Sequence, residues 1–252
     1  MPEQIQVISR AMSLLEILSR TDGPMSLTEI CTVSKLPKST LHRLLSALEF
    51  EGYVKNEGNG QYRLSKGMLC LSAKVMRCCF LTQAAAILRD LREKTDCTAY
   101  LALINKDEMV YLHRAPGPVV PFNDAGWVGE LYYSAGGRVI LSTYTDEQII
   151  DYLNRIPLQQ RTKKSIVSRE EFMEEMERTR QRGYSKSYEE YRLGVNSIGA
   201  PVFDHTGSCY AAVSLSAVHG TINVDVEEYA NLLLNAAREL SERMGARIGY
   251  GF

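Results

Sequence analysis

The stretch Leu36–Val54, "LPKSTLHRLLSALEFEGYV", decides the fold. At about 100° per residue, Leu41, Leu44, Leu45 and Leu48 fall on one apolar stripe of a helix, while Ser39, Arg43, Ser46 and Ala47 point away from it. Taken alone, this segregation describes an ordinary surface helix with its polar side in water. The flanks change the reading. Upstream, Ile8, Ala11, Leu14, Leu15 and Leu18 repeat at helical spacing, predicting a helix over Val7 to Ser19 that "TDGP" (Thr21 to Pro24) stops. Ser26, with Glu29 three residues on, is a capping box that opens a short helix ending near Val33. Pro37 then suits the first turn of a third helix, where its missing N–H would have no partner anyway. Downstream, Gly52 ends that helix, and "YVKN" and "QYRL" flank the glycine-rich "EGNG" (Glu57 to Gly60) as a hairpin.

Helix, short helix, tight turn, helix and hairpin in this order make a winged helix, in which the third helix sits in a major groove and the hairpin touches the flanking backbone. The polar side of the third helix then becomes an interface. Ser39, Thr40 and Ser46 offer short hydroxyls to phosphates, His42 and Arg43 reach base edges or backbone, and Lys38 and the wing's Arg63 add positive charge. A merely solvated face would hold more Glu and Lys. A winged helix serving protein contacts is the alternative.

Composition sets the outer bounds. A chain of 252 residues, 45 % hydrophobic and 23 % charged, reads as a globular protein of two domains. Its net charge of −1 does not advertise nucleic-acid binding, and residues 1–66 carry eight Lys and Arg against seven Asp and Glu, so any DNA contact must rest on local placement. No apolar run approaches the roughly 20 residues a spanning helix needs, and the start lacks a secretory pattern, so the expected location is cytoplasmic, away from membranes.

Six cysteines form no C-x-x-C pair and four histidines add no i, i+4 pairing, so no metal is expected and buried reduced thiols are the better reading. The adjacent Cys78 and Cys79 are a weak redox candidate, because neighbours on a helix point in different directions. No G-x-S-x-G, H-E-x-x-H, Walker or G-x-G-x-x-G pattern occurs, so neither catalysis nor a cofactor is expected. A Ser/His pair assembled only in three dimensions is the enzyme alternative.

After the wing, "SKGMLCLSAKVMRCCFLTQAAAILRDLREKTD" is helical in period, with a break expected near Phe80 to Thr82. "CTAYLALIN" and "EMVYLHRA" alternate as paired strands across Lys106 and Asp107, followed by a loop, "PGPVVP". "SAGGRVILSTY" (Ser134 to Tyr144) and Asp146 to Leu153 read as helices, and Ser168 with Glu171 as a capping box for a helix ending at Gly183. Strands over Tyr184 to Ser187, Ser197 to Phe203 and Tyr210 to Ala217 precede a last helix, Val226 to Gly245, capped by Asp225 with Glu228. This mixture predicts an α+β sensor-like domain. The expected division is 5–66 for the winged helix, 67–81 for a linker helix and 82–249 for the second domain.

"SAGGR" (Ser134 to Arg138) is the candidate for ligand chemistry: small residues before a helix start expose backbone N–H groups and the positive end of the helix dipole to a small carboxylate. Two glycines that merely permit tight packing are the alternative. Ser214 and Ser216 alternate on "VSLS", so one strand face carries both.

"LTEICTVSKLPKSTLHRLLSALEFEGYV...YRLSKGMLCL" resembles the winged helix-turn-helix of the IclR family of bacterial transcriptional regulators. "GYSKSYEEYRLGVNSIGAPVFDHTGSCYAAVSLS" (Gly183 to Ser216) is similar to that family's C-terminal motif, so nearly the whole chain is covered. The resemblance implies a GAF-like effector-binding second domain. It makes Ala135 and Gly136 the amide donors of a pocket for small organic acids, Arg138 the counterpart of a common Lys, and Ser187, Ser197, Ser214 and Ser216 pocket residues. Ser187 stands where the family often has Asp, and Ser197 where it often has Cys. Hydroxyl-lined pockets reject ligands that leave them unpaired, so the expected effector is a small polyhydroxylated carboxylate such as a sugar acid, rather than an aromatic one.

The expected partners are therefore a double-stranded DNA operator, a small carboxylate effector and a second copy of the chain. The homodimer is expected through the winged-helix and linker part, and the family implies a tetramer through the effector domains as the larger assembly. A repressor released by its effector is the expected sign, with an activator of the same architecture as the alternative.

Overall fold

A computed structural model describes residues 5–76, 79–118, 125–218 and 226–246. The chain divides into two compact units between Cys78 and Cys79.

In the first unit, α1 (Gln6–Ser19) contributes Leu14, Leu15 and Leu18 to a small core. β1 (Met25–Ser26) leads into α2 (Leu27–Ser34), where the Ser26 hydroxyl accepts the Glu29 N–H at 3.2 Å and the Glu29 carboxylate accepts the Ser26 N–H at 2.7 Å. Lys35, left-handed at φ 55°, ends α2, and Pro37 stands one position before the first residue of α3 (Lys38–Phe50), as its N-cap. Leu41 and Leu45 of α3 are fully buried against Ile30 and the α1 leucines, while Leu44 and Leu48 are half-buried at the edge of the same cluster.

β2 (Val54–Gly58) and β3 (Gln61–Leu64) form the hairpin, with Gly58, Asn59 and Gly60 all at positive φ. That tip asks for three left-handed residues in succession, which is why glycine stands on both sides of Asn59. β1, which the sequence reading lacked, pairs with β3 through Met25 and Tyr62 and makes the sheet three-stranded. α4 (Gly67–Met76) follows, and its Met68 packs on the core.

The second unit opens with α5 (Cys79–Thr95). The helix break is expected near Phe80 to Thr82; α4 ends at Met76 and α5 begins at Cys79, residues 77 and 78 lying outside those described, and Phe80, Ala84, Ile87, Leu88 and Leu91 keep helical spacing into the core. β4 (Thr98–Asn105) and β5 (Glu108–Ala115) pair as expected, and a short β6 (Val128–Glu130) adds an unforeseen edge strand. α6 (Ala135–Ser142), α7 (Asp146–Arg155) and α8 (Arg169–Arg182) follow. Ser168 caps α8 by accepting the Glu171 N–H at 3.3 Å, while its hydroxyl donates to the Glu170 carboxylate at 2.7 Å; the reciprocal Ser168 N–H to Glu171 carboxylate bond of the expected capping box does not form.

β7 (Ser185–Tyr188), β8 (Val195–Phe203), β9 (Cys209–Val218) and α9 (Val226–Arg243) complete the unit; the expected Asp225 cap lies outside the described residues. The sheet is antiparallel in the order β6-β5-β4-β9-β8-β7. Period two sorts its side chains: Ala99, Leu101, Ile198, Ala200, Val213 and Leu215 pack under α5 and α9, while Tyr100, Ala102 and Ala212 face α6, α7 and α8.

Cys31, Cys70, Cys97 and Cys209 are free thiols; Cys97 is buried, Cys31 and Cys209 are half-buried, and Cys70 is exposed, against the expectation of buried thiols. Burial holds the thiols of Cys97 and Cys209 protonated, pushed up to about 11 and about 12. Cys78 lies outside the described residues.

Candidate functional site

The outer face of α3 is the first candidate. Lys38, Ser39, His42, Arg43 and Ser46 are exposed and Thr40 is half-buried; Ser39, Arg43 and Ser46 point away from the buried Leu41 and Leu45, and Lys38 and His42 flank that stripe. Among the described residues Lys38, His42 and Arg43 have no ion-pair or hydrogen-bond partner within the protein, so their donors are open to an outside ligand. In the wing, by contrast, the Glu57 carboxylate pairs with Lys55 Nζ at 3.0 Å and with Arg63 Nε at 2.6 Å. Those two cations hold the Glu57 carboxyl below its ordinary range, the Lys55 contact first. Arg63 can reach a phosphate only by leaving Glu57.

The second candidate is a cleft in the second unit, lined by Tyr100, Tyr111, Trp127, Tyr133 and Tyr191 with Ser134, Ser187, Ser197 and Ser216; the expected Ser214 is not among its lining residues. The serines Ser187, Ser197 and Ser216 are consecutive partners across β7, β8 and β9, a row of hydroxyls on the face that looks toward α6. Ser187 donates to the Tyr133 carbonyl at 3.0 Å. The rings form a chain, from Tyr100 to Tyr111 at 4.5 Å between centroids, Tyr111 to Trp127 at 5.4 Å, Trp127 to Tyr191 at 5.9 Å and Tyr191 to Tyr133 at 4.9 Å. Each such pair contributes about 0.5–1.5 kcal/mol beyond its burial. Burial, reinforced by Glu130, keeps the Tyr133 phenol protonated far above neutral pH. Arg192 lines the cleft as its charged side chain, and Arg161 lies over Tyr133 at 4.4 Å and Tyr191 at 5.4 Å.

The start of α6 lies apart from this lining. Ala135 and Gly136 are buried; the Ala135 carbonyl accepts the Ser185 hydroxyl at 2.5 Å, and the Ser134 hydroxyl, which does line the cleft, accepts the Gly137 N–H at 3.0 Å. A Cβ on Gly137 would come within 2.2 Å of the Leu131 carbonyl oxygen, so this glycine serves close packing. Gly136 is different. A Cβ there would make ordinary contacts with Met109 Sδ at 3.4 Å, Ser214 Oγ at 3.6 Å and Ala212 Cβ at 3.8 Å. Ser214 is 2 % exposed and its hydroxyl has no hydrogen-bond partner among the described residues, an arrangement that costs about 1–3 kcal/mol unless a further oxygen or N–H satisfies it. Arg138 stays out of the cleft: its guanidinium is buried and forks onto Glu190, with Nη1 donating to Oε1 at 2.7 Å and Nη2 paired with Oε2.

Residues 7–58 match the IclR helix-turn-helix domain, and residues 73–242 match the bacterial transcriptional regulator IclR C-terminal domain. The chain belongs to the IclR family of bacterial transcriptional regulators. It is 28 % identical to the transcriptional repressor IclR of Escherichia coli, over 96 % of this chain and 91 % of that one, and 29 % identical to the regulator XynR of the same organism, over 96 % and 98 %. Its fold is similar to the solved IclR regulator of Alicyclobacillus acidocaldarius, with a TM-score of 0.86, 26 % identity and 96 % and 100 % of the two chains covered. The IclR protein of Thermotoga maritima is also similar, with a TM-score of 0.68, 26 % identity and coverage of 96 % and 100 %. These relatives are transcriptional regulators, not enzymes, and IclR of Escherichia coli is a repressor. Among the described residues no helix is long and apolar enough to cross a membrane, and no cluster of His, Cys, Asp and Glu could hold a metal ion.

In this IclR-family chain the sequence reading missed the aromatic wall. Tyr100, Tyr111, Trp127, Tyr133 and Tyr191 come from separate strands and loops, so no local spacing joins them; the one available signal was that Tyr133 directly precedes "SAGGR" and Tyr191 lies within the Gly183 to Ser216 stretch.

Proposed function

We propose that this chain is a cytoplasmic repressor whose operator is read by α3 and whose DNA affinity is set by a small organic acid held in the second unit. The observation that carries the DNA half is the exposed, unpartnered trio Lys38, His42 and Arg43, flanked by Ser39, Thr40 and Ser46, on the third helix of a winged helix. Arg63 joins them from the wing on release from Glu57. Residues 5–66 form the DNA-binding domain, 67–81 the linker and 82–249 the effector domain. A two-fold operator calls for a homodimer through the winged-helix and linker part, which effector domains extend to a tetramer.

The effector half rests on Ser214. Its buried, unpartnered hydroxyl, on the strand that also carries Ser216, supports an oxygen-rich ligand reaching from the cleft toward the start of α6, with Ser187, Ser197 and Ser216 bonding the hydroxyls of the acid; the N–H groups of Ala135 and Gly136, which Gly199 packs against, take its carboxylate once that contact opens. A sugar acid meets these donors and lays its C–H face on the rings. A hydroxylated aromatic acid is the second reading, favoured by the five-ring wall. The inducer-binding domain of the transcription factor PobR from Acinetobacter, similar at a TM-score of 0.59 and 26 % identity over 63 % of this chain and 95 % of that one, was solved as a complex with 3-hydroxy benzoic acid.

Calorimetry with a panel of sugar acids and hydroxybenzoates on wild type, Ser214→Val and Ser187→Val tests this half. Binding in wild type that is weakened in both variants is expected. Equal affinities in all three place the effector elsewhere. A bound acid acts on DNA through a coupling of roughly 1–3 kcal/mol between the two sites.

A further inference from the structure

The cleft encloses a free volume of about 40 Å³. A water needs at least about 10–15 Å³ on this measure and a small-molecule site about 300–1,000 Å³, so the cleft admits a few waters and no organic acid as it stands. Something must move for the effector site to fill. Its floor consists of Tyr100, Ser197 and Ser216 on strands paired on both sides, which leaves no freedom there.

The roof is the β7–β8 connection, residues 189–194, which carries Tyr191 and Arg192. Its backbone is pinned at both ends. Glu190 is held by Arg138 and Glu189 by Lys164, and the Thr162 and Ser165 hydroxyls donate to the carbonyls of Glu189 and Glu190 at 2.7 Å each. Glu189 N–H reaches the Val195 carbonyl at 2.8 Å, and the Gly194 N–H reaches the Glu189 carboxylate at 2.9 Å. A loop so tied does not swing as a lid. The side chains facing the cleft are held far less firmly: Tyr191 makes ring contacts to Tyr133 and Trp127, and Arg161 covers both tyrosines from the solvent side with one ion pair, to Glu130 at 3.3 Å. The Arg161 side chain is 36 % exposed, in contrast to the buried Arg138.

We propose that Arg161 is a side-chain gate: its guanidinium, stacked on Tyr133 and Tyr191, keeps the cleft closed, and its departure frees Tyr191 to rotate and open a ligand-sized space over a fixed backbone. The ligand class this gate favours is an anionic planar or ring-shaped acid, since such a molecule replaces the guanidinium on the ring faces and meets the charge of Arg161 and Arg192 on entry. The physiological meaning rests on the effector reading of this cleft, whereas the gate itself is measurable without any effector.

Trp127 is the sole tryptophan of the chain and stands half-buried in the ring wall, in contact with Tyr111 and Tyr191. A rise in acrylamide quenching of its fluorescence above the wild-type constant in the full-length protein therefore reads added access from the cleft side. Arg161→Ala is expected to raise the quenching constant at least about twofold, and Arg161→Lys, which keeps the charge but loses the flat stacking face, to fall between it and wild type. A quenching constant unchanged in Arg161→Ala overturns the gate. If the constant rises as expected while calorimetry finds no acid bound to any form, the gate stands and the effector reading fails.

Discussion

Arg138 and Glu190, 52 residues apart in sequence, meet as a two-pronged ion pair inside the second unit, where Arg138 also donates to the Tyr132 carbonyl at 2.6 Å and the Lys186 carbonyl at 3.1 Å. The pair ties the helix after "SAGGR" to the loop that roofs the cleft, so one contact sets the distance between the two halves of the candidate effector site. Removing one partner leaves a buried charge uncompensated, and Glu190→Ala is expected to cost about 3–5 kcal/mol. Arg138→Met combined with Glu190→Leu should recover most of that loss. Urea unfolding of the full chain followed by Trp127 fluorescence checks both, and a double variant no more stable than Glu190→Ala contradicts the assignment.

The two glycines of "SAGGR" should respond in opposite ways. Gly137→Ala pushes a Cβ to 2.2 Å from a backbone oxygen and is expected to destabilise the fold by about 1–3 kcal/mol or more. Gly136→Ala meets nothing closer than 3.4 Å and gains helix propensity, so its unfolding midpoint should stay at or slightly above wild type while it narrows the space beside Ser214. Equal destabilisation by both substitutions would show that Gly136, too, is there for packing.

Acid should weaken the first unit through two carboxylates. The Ser26 hydroxyl and N–H lower the pKa of Glu29, and Lys55 with Arg63 lowers that of Glu57, from an ordinary value of 4.5 in both cases. A depressed carboxylate stabilises the folded state above its ordinary value and loses that contribution as pH falls through the lowered one. Thermal melts by circular dichroism between about pH 6 and about pH 3 should show a smaller acid-induced fall in midpoint for Glu29→Gln and Glu57→Gln than for wild type. Parallel curves for all three would remove these groups from the acid response.

The winged helix was legible because its signals are local. Leucines at 41, 44, 45 and 48, the Ser26 and Glu29 box, and the glycines around Asn59 each fix one element by spacing alone. β1 and β6, two and three residues long, are too short for a period to register, and their pairing with distant strands creates them. The same distinction divides the candidate effector site. Ser214 and Ser216 follow from alternation on one strand, whereas the aromatic wall is assembled from residues as far apart as Tyr100 and Tyr191 and exists only in the folded sheet. Nor could the sequence say that the start of α6 is covered: a Cβ on Gly199 of β8 would come within 2.6 Å of the Ala135 carbonyl, a contact made across the core.

Whether α3 reads DNA through Arg43 is decided by a fluorescence-anisotropy titration of the full chain on its own upstream DNA, repeated over a salt series and with random duplex. Wild type should bind the upstream site selectively, with affinity falling log-linearly in salt. Arg43→Ala should lose about 1–3 kcal/mol and relax specificity at one base pair. Arg43→Ala that binds both duplexes as wild type does would contradict the placement of this helix in the groove.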